Sequence, residues 1–391
     1  MFIDSTDEQK ALRKELRAYF AQLMTPAVRE SIRGKESGED YDRIIKQMGT
    51  DGWLAIGWPK EYGGQGRTTQ EQLVFFEEAL LANAPIPFVT LNTVGPALMS
   101  YGSEEHKKQF LPGIAAGTTH FAIGYTEPNA GTDLAALGTT AVKDGDHYVI
   151  NGTKVFTSGA EGADYVWLAC RTDMEAPKHK GITMFILDTK SKGFSFAPIH
   201  TVGGFRTNMT YYENVRVHES MIVGQLNKGW HLITAQLNHE RVGLAAWGIN
   251  GWSLFRRTME WARTAGEGGA RPIDDAGVQI NLAEAYSRLE AMRVLNARMA
   301  WELDRDATHM NPALASGLKV YSTEALIEVC RLLMEVLGPA ALVRAGSSAA
   351  VLAGDLEHEY RRCQINTFGG GVNEIQRGLV ANFGLGMPRH R

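Results

Sequence analysis

The stretch Phe121-Ala-Ile-Gly-Tyr-Thr-Glu-Pro-Asn-Ala-Gly-Thr-Asp133 lies between two apolar runs and concentrates small residues and hydroxyl groups in one turn. Pro128 lacks an amide proton and fixes its own φ, and Gly131 lets the backbone approach a neighbour closely. Thr126 and Thr132 place hydroxyl groups beside anything that docks there. Such a turn suits a flat ligand with polar edges, but an ordinary loop between a helix and a strand would have the same composition.

The residue pattern on the N-terminal side of this turn is helical. Thr6 and Gln9 have the spacing of a capping box. Apolar residues then recur with helical period, at Leu12, Leu16, Tyr19, Phe20 and Leu23. We therefore predict a helical domain over residues 1–118.

The pattern changes to strands over residues 119–225, where β-branched and aromatic residues alternate between turn signals. Asp144-Gly145 and Asn151-Gly152 are predicted to be turns. Predicted strands occupy residues 140–143, 147–150, 163–170, 181–187 and 211–217. Helical patterns return over residues 226–391, with breaks at Gly266 to Pro272 and near Asn311-Pro312. The order helix, sheet, helix predicts an α+β architecture with these three domains.

Composition excludes several classes of protein. The chain has 391 residues, 44% hydrophobic and 21% charged, which is enough for two or three domains of an ordinary globular protein. Lys and Arg number 40 against 44 Asp and Glu, so we expect neither nucleic acid nor a membrane as a partner. We find no targeting pattern and no apolar run of about 18 residues, and expect a cytoplasmic location.

The three cysteines also limit the possible chemistry. Cys170, Cys330 and Cys363 lie far apart in the sequence without a Cys-x-x-Cys pair. This spacing favours neither a metal site nor a disulfide framework, and we expect buried thiols. The sequence also lacks a Gly-x-Gly-x-x-Gly segment after a strand, so a Rossmann nucleotide site has no support.

Four segments, in order along the chain, resemble the acyl-CoA dehydrogenase family. They are Pro59-Lys-Glu-Tyr-Gly-Gly-Gln-Gly66, Tyr125 to Asp133, Lys154-Val-Phe-Thr-Ser158 and Gly371-Val-Asn-Glu-Ile-Gln-Arg377. Members of this family are flavoenzymes that remove two hydrogens from the Cα–Cβ bond of a CoA thioester. The resemblance implies a helical N-terminal domain, a middle β domain, a C-terminal four-helix bundle and a tetramer. The chain is most similar to subunits of heteromeric enzymes that act on steroid side-chain CoA thioesters.

A carboxylate on an apolar helix face is the candidate catalytic base. With 100° per residue, Glu240 falls in the same arc of roughly 100° as five apolar residues, Trp230, Ile233, Leu237, Leu244 and Trp247. Apolar surroundings raise the pKa of a carboxyl group towards the range of a general base. An interior glutamate paired with an arginine would fit the same pattern.

The family resemblance favours the base. Most members carry it in the C-terminal loop, at the position that is Gly370 here. A smaller branch carries it on the long helix, in a segment similar to Leu237-Asn-His-Glu-Arg241, which implies Glu240 as the base. Asn238 and Arg241 then match positions that contact CoA, although Arg241 would serve equally well as a structural partner.

Gly370 has a second implied role. In this family a backbone N–H of the loop polarises the thioester carbonyl, together with a ribityl hydroxyl of the flavin. Gly370 would keep that N–H and leave room for a branched or steroid-like acyl group. A flexible turn before the last helix is the alternative interpretation.

The resemblance implies noncovalent FAD. Tyr125, Thr126, Gly131 and Thr132 belong to the flavin-binding turn, while Phe156 matches an aromatic position near the isoalloxazine and Ser158 a hydroxyl close to N5. All six residues lie in the predicted middle domain, residues 119–225.

The adenine end of the FAD site departs from the family pattern. The stretch Gly266-Glu-Gly-Gly-Ala270 replaces an Arg-x-x-Phe segment, Glu335 replaces a usual glutamine and Val372 a usual threonine. A diphosphate needs cations or donors, so we expect a related chain to supply them in an α2β2 assembly. Arg263 or Arg271 on a shifted loop is the alternative.

Three functional interpretations remain distinct. The first is a dehydrogenase that passes electrons to electron-transferring flavoprotein. The second is an acyl-CoA oxidase, which would let oxygen reach the reduced cofactor, although the larger oxidases carry an added C-terminal domain. The third is a non-catalytic subunit that completes a partner's site.

Overall fold

The computed structural model describes residues 4–35, 37–236, 248–264, 266, 269–305 and 311–388. The predicted order of helices, sheet and helices is confirmed. The N-terminal helices are α1 Asp7–Leu23, α2 Pro26–Ser31, α3 Glu39–Thr50, α4 Thr69–Leu81, α5 Gly95–Tyr101 and α6 Glu104–Ala115. They form a helical layer that packs on one face of the sheet.

Helix α1 illustrates why the first layer forms. Thr6 and Gln9 make the predicted capping box in both directions, so two amide protons of the first turn have partners. Leu12, Leu16 and Phe20 are buried on one side of the helix. Each such side chain contributes about 1.5–3 kcal/mol on burial. The helix is therefore fixed at its start by a cap and along its length by one apolar stripe.

The eight strands that the structure describes form one sheet. They are β1 Phe121–Gly124, β2 Thr140–Asp144, β3 His147–Lys154, β4 Tyr165–Arg171, β5 Ile182–Asp188, β6 Phe194–His200, β7 Arg206–His218 and β8 Ile222–Val223. The order is β6-β7-β3-β2-β4-β5-β8, and β1 pairs in parallel with β4. Strands β2 and β3 form the predicted hairpin at Asp144-Gly145. The parallel β1–β4 pair carries the chain directly into the turn that begins at Tyr125.

The predicted turn at Asn151-Gly152 is wrong. Strand β3 continues through it to Lys154, and its register against β7 shifts between Ile150 and Gly152. Glycine is needed there because a Cβ atom would lie 2.8 Å from the Cα atom of Thr139. A bulge therefore replaces the expected end of the strand.

The C-terminal layer is again helical. Its helices are α7 over residues 229–236, α8 Ile249–Arg263, α9 Ala276–Arg305, α10 Pro312–Leu337, α11 Asp355–Cys363 and α12 Asn373–Leu379. The predicted break near Asn311-Pro312 is confirmed, since the Asn311 side chain accepts from Ala313 N at 2.9 Å and caps α10. Helix α10 packs against α8, α9, α11 and α12 and forms the centre of this layer.

Two faces of the sheet belong to different cores. Trp167 and Ala169 of β4 pack towards the N-terminal helices, whereas Leu168 and Cys170 pack on the opposite face.

The three cysteines are buried free thiols, as expected, and burial raises the pKa of Cys170 to about 12. None of the helices in the described residues is both long and apolar enough to cross a membrane.

The bulge at Gly152 yields a stability prediction. We expect Gly152→Ala to lower the free energy of unfolding by about 1–3 kcal/mol, because the new methyl group would overlap Thr139. Urea unfolding of both proteins measures this change. In the control Gly138→Ala, the new Cβ atom would meet only Glu127 Oε2 at 3.6 Å, and we expect a change within about 0.5 kcal/mol. Equal effects of the two substitutions would contradict the role assigned to the bulge.

Candidate active site

A buried ion pair lies beneath the turn that follows β1. Lys154, at the end of β3, is fully buried, and its Nζ atom donates to Glu127 Oε1 at 2.8 Å. The two Glu127 oxygens also accept from the backbone N–H groups of Gly138 and Thr139, at 2.7 and 2.8 Å. Burial opposes the charge on Glu127, but the Lys154 ammonium and these donors hold its pKa below the usual value. For Lys154, burial is the larger effect and lowers the pKa of its ammonium.

The same lysine joins the turn to the following segment. Lys154 Nζ donates to Tyr125 O at 3.0 Å, and Val155 N donates to Thr126 O at 2.8 Å. These bonds place the Tyr125–Asp133 turn beside residues 155–158. Within the described part of the chain, the N–H groups of Thr126, Gly131 and Thr132 donate to no protein acceptor. The structure thus brings two of the sequence-predicted segments together and leaves donors exposed between them.

Phe156 combines an unusual backbone with an exposed ring. Its φ is +61°, a region that non-glycine residues seldom occupy, and 58% of its surface is exposed. The next residue is held on both sides, because Thr157 N donates to Asn208 O at 2.9 Å and Asn208 Nδ2 donates to Thr157 O at 3.2 Å. Strained residues that the surroundings fix in this way cluster at functional sites.

The hydroxyl of Ser158 lies at the end of this segment. Its Oγ atom is 3.0 Å from Thr207 Oγ1 of β7, and its N–H donates to Phe156 O at 3.0 Å. The side chain is therefore oriented by β7 and partly exposed beside Phe156.

The Tyr125 side chain points inwards, away from the exposed donors of the turn. Its hydroxyl donates to Gln236 Oε1 at 2.8 Å, and Trp167 Nε1 lies 3.1 Å from the same hydroxyl and 3.0 Å from Gln236 Oε1. This network joins the sheet to the last described residue of α7. This network could not be predicted from the sequence, because the three partners are separated by at least 42 residues.

Gly370 lies in the loop between α11 and α12. Its φ is +68°, and Gln376 Nε2 donates to its carbonyl at 3.3 Å. No acceptor in the described ranges takes the Gly370 N–H, so this donor is available to a ligand. Glu374 is exposed in the first turn of α12.

The other predicted site residues cannot be placed in the same way. Glu240, Asn238 and Arg241 lie outside the described residues, which stop at Gln236 and resume at Gly248. Of the helix face predicted to carry Glu240, Ile233 is fully buried and Trp230 is half-buried. The base and the two CoA contacts remain predictions.

Of the stretch predicted to lack adenine-side contacts, the structure describes Gly266, Gly269 and Ala270. Gly266 N donates to Ala270 O at 2.8 Å, so this N–H already has an acceptor within the stretch. Glu335 is half-exposed and pairs with Arg331 and Asn281. Arg271 is held by Asp274 through two bonds of 3.0 and 2.6 Å. Arg263 has no partner among the residues described and keeps its place as the alternative.

Family profiles match nearly all of the chain. The acyl-CoA dehydrogenase N-terminal domain matches residues 6–118, the middle domain residues 122–215 and the C-terminal domain residues 227–385. The chain belongs to the acyl-CoA dehydrogenase family. Members of this family are flavoproteins, and the exposed turn and Phe156 lie in the part of the chain that matches the middle domain.

Similar proteins cover the full length of this acyl-CoA dehydrogenase. The acyl-CoA dehydrogenase FadE26 of Mycobacterium tuberculosis is 51% identical over 100% of this chain and 99% of its own. Two solved structures match over 100% of both chains: the Tcur3481-Tcur3483 steroid ACAD, with 52% identity and a TM-score of 0.94, and the ChsE4-ChsE5 complex from Mycobacterium tuberculosis, with 51% identity and a TM-score of 0.93.

The Lys154–Glu127 pair yields a prediction that separates buried from exposed charge. We expect Glu127→Gln to lower the free energy of unfolding by about 3–5 kcal/mol, because it leaves a buried ammonium without its carboxylate. The control is Glu219→Gln, which breaks the exposed pair with Lys143 and should cost less than about 1 kcal/mol. Urea unfolding measures both values.

The pH dependence of this effect has a defined sign. Because folding lowers the pKa of Glu127 from its usual value of 4.5, the carboxylate stabilises the fold above that pH. Its contribution is lost as the pH falls through the lowered pKa. The difference in the free energy of unfolding between the unsubstituted protein and Glu127→Gln should therefore become smaller over that pH range. A gap that is independent of pH, or equal losses from Glu127→Gln and Glu219→Gln, would contradict the account.

Proposed function

We propose that this protein catalyses the FAD-dependent α,β-dehydrogenation of an acyl-CoA thioester, with Glu240 as the base. The observation that carries the proposal is Phe156, an exposed aromatic ring on a strained backbone beside free N–H donors of the Thr126 turn. Aromatic rings in this setting stack on flat ligands, and free amide donors bind polar ring edges. FAD, when bound, supplies the acceptor for a hydride from the thioester β carbon.

The residues of the Thr126 turn and of the segment 156–158 fit a flavin ring. Thr126, Gly131 and Thr132 present N–H groups without protein acceptors in the described chain, and a Cβ atom at Gly131 would contact Thr126 Cγ2 at 3.8 Å. Ser158 contributes a hydroxyl that β7 orients. Lys154 and Glu127 hold the turn and the Phe156 segment together, so the ring would meet surfaces that are already in place.

In the proposed reaction the protein moves one proton and holds one oxygen. Glu240 takes the proton from the carbon α to the thioester, and Asn238 and Arg241 bind the CoA moiety. The Gly370 N–H, free of protein acceptors in the described part, donates to the thioester oxygen as negative charge develops there. The proton and the hydride leave from adjacent carbons, which leaves a double bond between them.

The substrate proposed is a bulky or branched acyl-CoA of the steroid side-chain type. Gly370 has no side chain to fill the space at the loop where most family members carry a carboxylate. A similar solved structure is described as a steroid ACAD. A panel of CoA thioesters from short branched acyl groups to steroid side chains would rank the acyl groups by kcat/KM.

The adenine end of FAD is proposed to bind a second, related chain. Glu335 presents a half-exposed carboxylate, Val372 provides no hydroxyl at the start of α12, and Arg271 is occupied by Asp274. A diphosphate at this end would face the Glu335 carboxylate, while Arg331 and Arg271 are already paired with carboxylates. The ChsE4-ChsE5 structure is a complex of two named proteins, which supports an α2β2 assembly here as well.

Electron-transferring flavoprotein is the proposed electron acceptor, and the cytoplasm is the proposed location.

Substitution of the proposed base tests the reaction. We expect Glu240→Gln to reduce kcat by about 10²-fold or more, because the amide cannot accept the α proton. The control is Glu374→Gln, an exposed residue of α12 whose loss should leave kcat unchanged. Stopped-flow absorbance at the flavin band, with flavin content measured beside it, gives the rate of the reductive step. Full turnover by Glu240→Gln with flavin bound would move the base elsewhere or make this chain a non-catalytic subunit.

Flavin stoichiometry tests the assembly. The chain expressed alone should bind far less than one FAD per protomer, because Arg271 and Arg331 are already paired with carboxylates. Expressed with a related partner chain, it should yield a tetramer with two FAD, measured by absorbance and light scattering. Full occupancy in the lone chain would eliminate the two-chain site and favour Arg263 as the missing contact.

A further inference from the structure

Lys319 is a buried lysine in the middle of α10, with only 5% of its surface exposed. Its ammonium group lies at the loop between α11 and α12. Nζ donates to Thr367 O at 3.1 Å, to Gly371 O at 2.9 Å and to Asn373 Oδ1 at 2.7 Å. An ammonium has three protons, so these three acceptors match its full donor capacity.

The three acceptors lie on both sides of Gly370. Thr367 precedes the Gly369-Gly370-Gly371 run, and Gly371 and Asn373 follow it. Gly370 and Gly371 have φ values of +68° and +94°, in the region that favours glycine. Three consecutive glycines also have the greatest freedom of any backbone, so the position of the Gly370 N–H depends on what ties the run at its ends.

Asn373, which follows the glycine run, makes three hydrogen bonds to side chains of α10. Asn373 accepts from Lys319 and donates through Nδ2 to Thr323 Oγ1 at 3.1 Å and to Glu324 Oε1 at 2.9 Å. Lys319 and Thr323 stand one turn apart on the same helix. One rigid helix therefore holds the end of the glycine run and the start of α12 in a fixed relation.

We propose that Lys319 is a positioning residue for the dehydrogenation, which fixes the Gly370 N–H where the thioester oxygen gains charge. The inference rests on the proposed function, in which that N–H binds the oxygen. A donor stabilises an oxyanion only when it is held in advance at hydrogen-bond distance. A displacement of about 1 Å in such a site can reduce the rate by about 10²-fold.

The test uses the flavin-loaded enzyme with its partner chain and the substitution Lys319→Met, which keeps the length of the side chain and removes its donors. We expect kcat for the fastest thioester of the panel to fall about 10- to 100-fold, with KM changed less than about threefold. Lys319→Arg retains charge and donors and should recover part of kcat. The control is Tyr321→Phe, which removes a 3.2 Å bond from α10 to Arg288 O without touching the loop, and should leave kcat unchanged.

Two further readouts separate positioning from a general loss of structure. Hydrogen exchange of the peptide spanning residues 364–376 should quicken in Lys319→Met, while flavin content stays at its original value. With 3-thiaoctanoyl-CoA, whose β sulfur prevents hydride loss, the pKa of the bound α carbon should rise by about one to two units, the counterpart of the 10- to 100-fold loss in kcat.

The outcomes are distinct. Unchanged kcat and α-carbon pKa in Lys319→Met would overturn the inference alone. An equal fall in flavin content and in melting temperature in Lys319→Met and Lys319→Arg, with an unchanged α-carbon pKa in the fraction that keeps its flavin, would also overturn it, since the lysine would then be structural only. An unsubstituted enzyme that neither oxidises a thioester nor acidifies the probe would overturn the proposed function itself.

Discussion

The site depends on one buried charge and the groups that compensate it. Lys154 lies at the end of β3 with no exposed surface, so its ammonium must find acceptors within the protein. It finds them in Glu127 and in the carbonyl of Tyr125, both in the turn after β1. Because the charge cannot be left unpaired, the turn is forced against the strand end. The turn and the segment that carries the exposed Phe156 are thereby held next to each other.

The two ends of the proposed cofactor site differ in how completely this chain builds them. At the ring end, the ion pair, Asn208 and β7 fix the groups before any ligand arrives. At the proposed adenine end, Glu335 presents a carboxylate and the Gly266 N–H is already bonded to Ala270 O. A buried lysine recurs at the C-terminal loop, where Lys319 holds the glycine run. In both places a fixed ammonium orders a backbone segment that would otherwise be free, which explains how a glycine-rich site can be preorganised.

Local signals in the sequence were sufficient for several elements. The capping box at Thr6, the hairpin at Asp144-Gly145 and the start of α10 at Asn311 each depend on neighbours in the chain, and each was predicted. The bulge at Gly152 depends on Thr139 from another segment, so the pattern was mistaken for a turn. Edge strand β6 has no buried residue and was not among the predicted strands. The partners of Lys154 and Lys319 are equally remote, and the position of Glu240 remains a prediction.

A structure of the two-chain complex with FAD and a CoA thioester bound tests the central claim most directly. The account predicts that the isoalloxazine ring lies against Phe156, with its polar edge on the N–H groups of the Thr126 turn. It also predicts an unbroken contact between Lys154 and Glu127 beneath that ring. An isoalloxazine placed away from Phe156, with the turn detached from Lys154 and the donors in solvent, would contradict it.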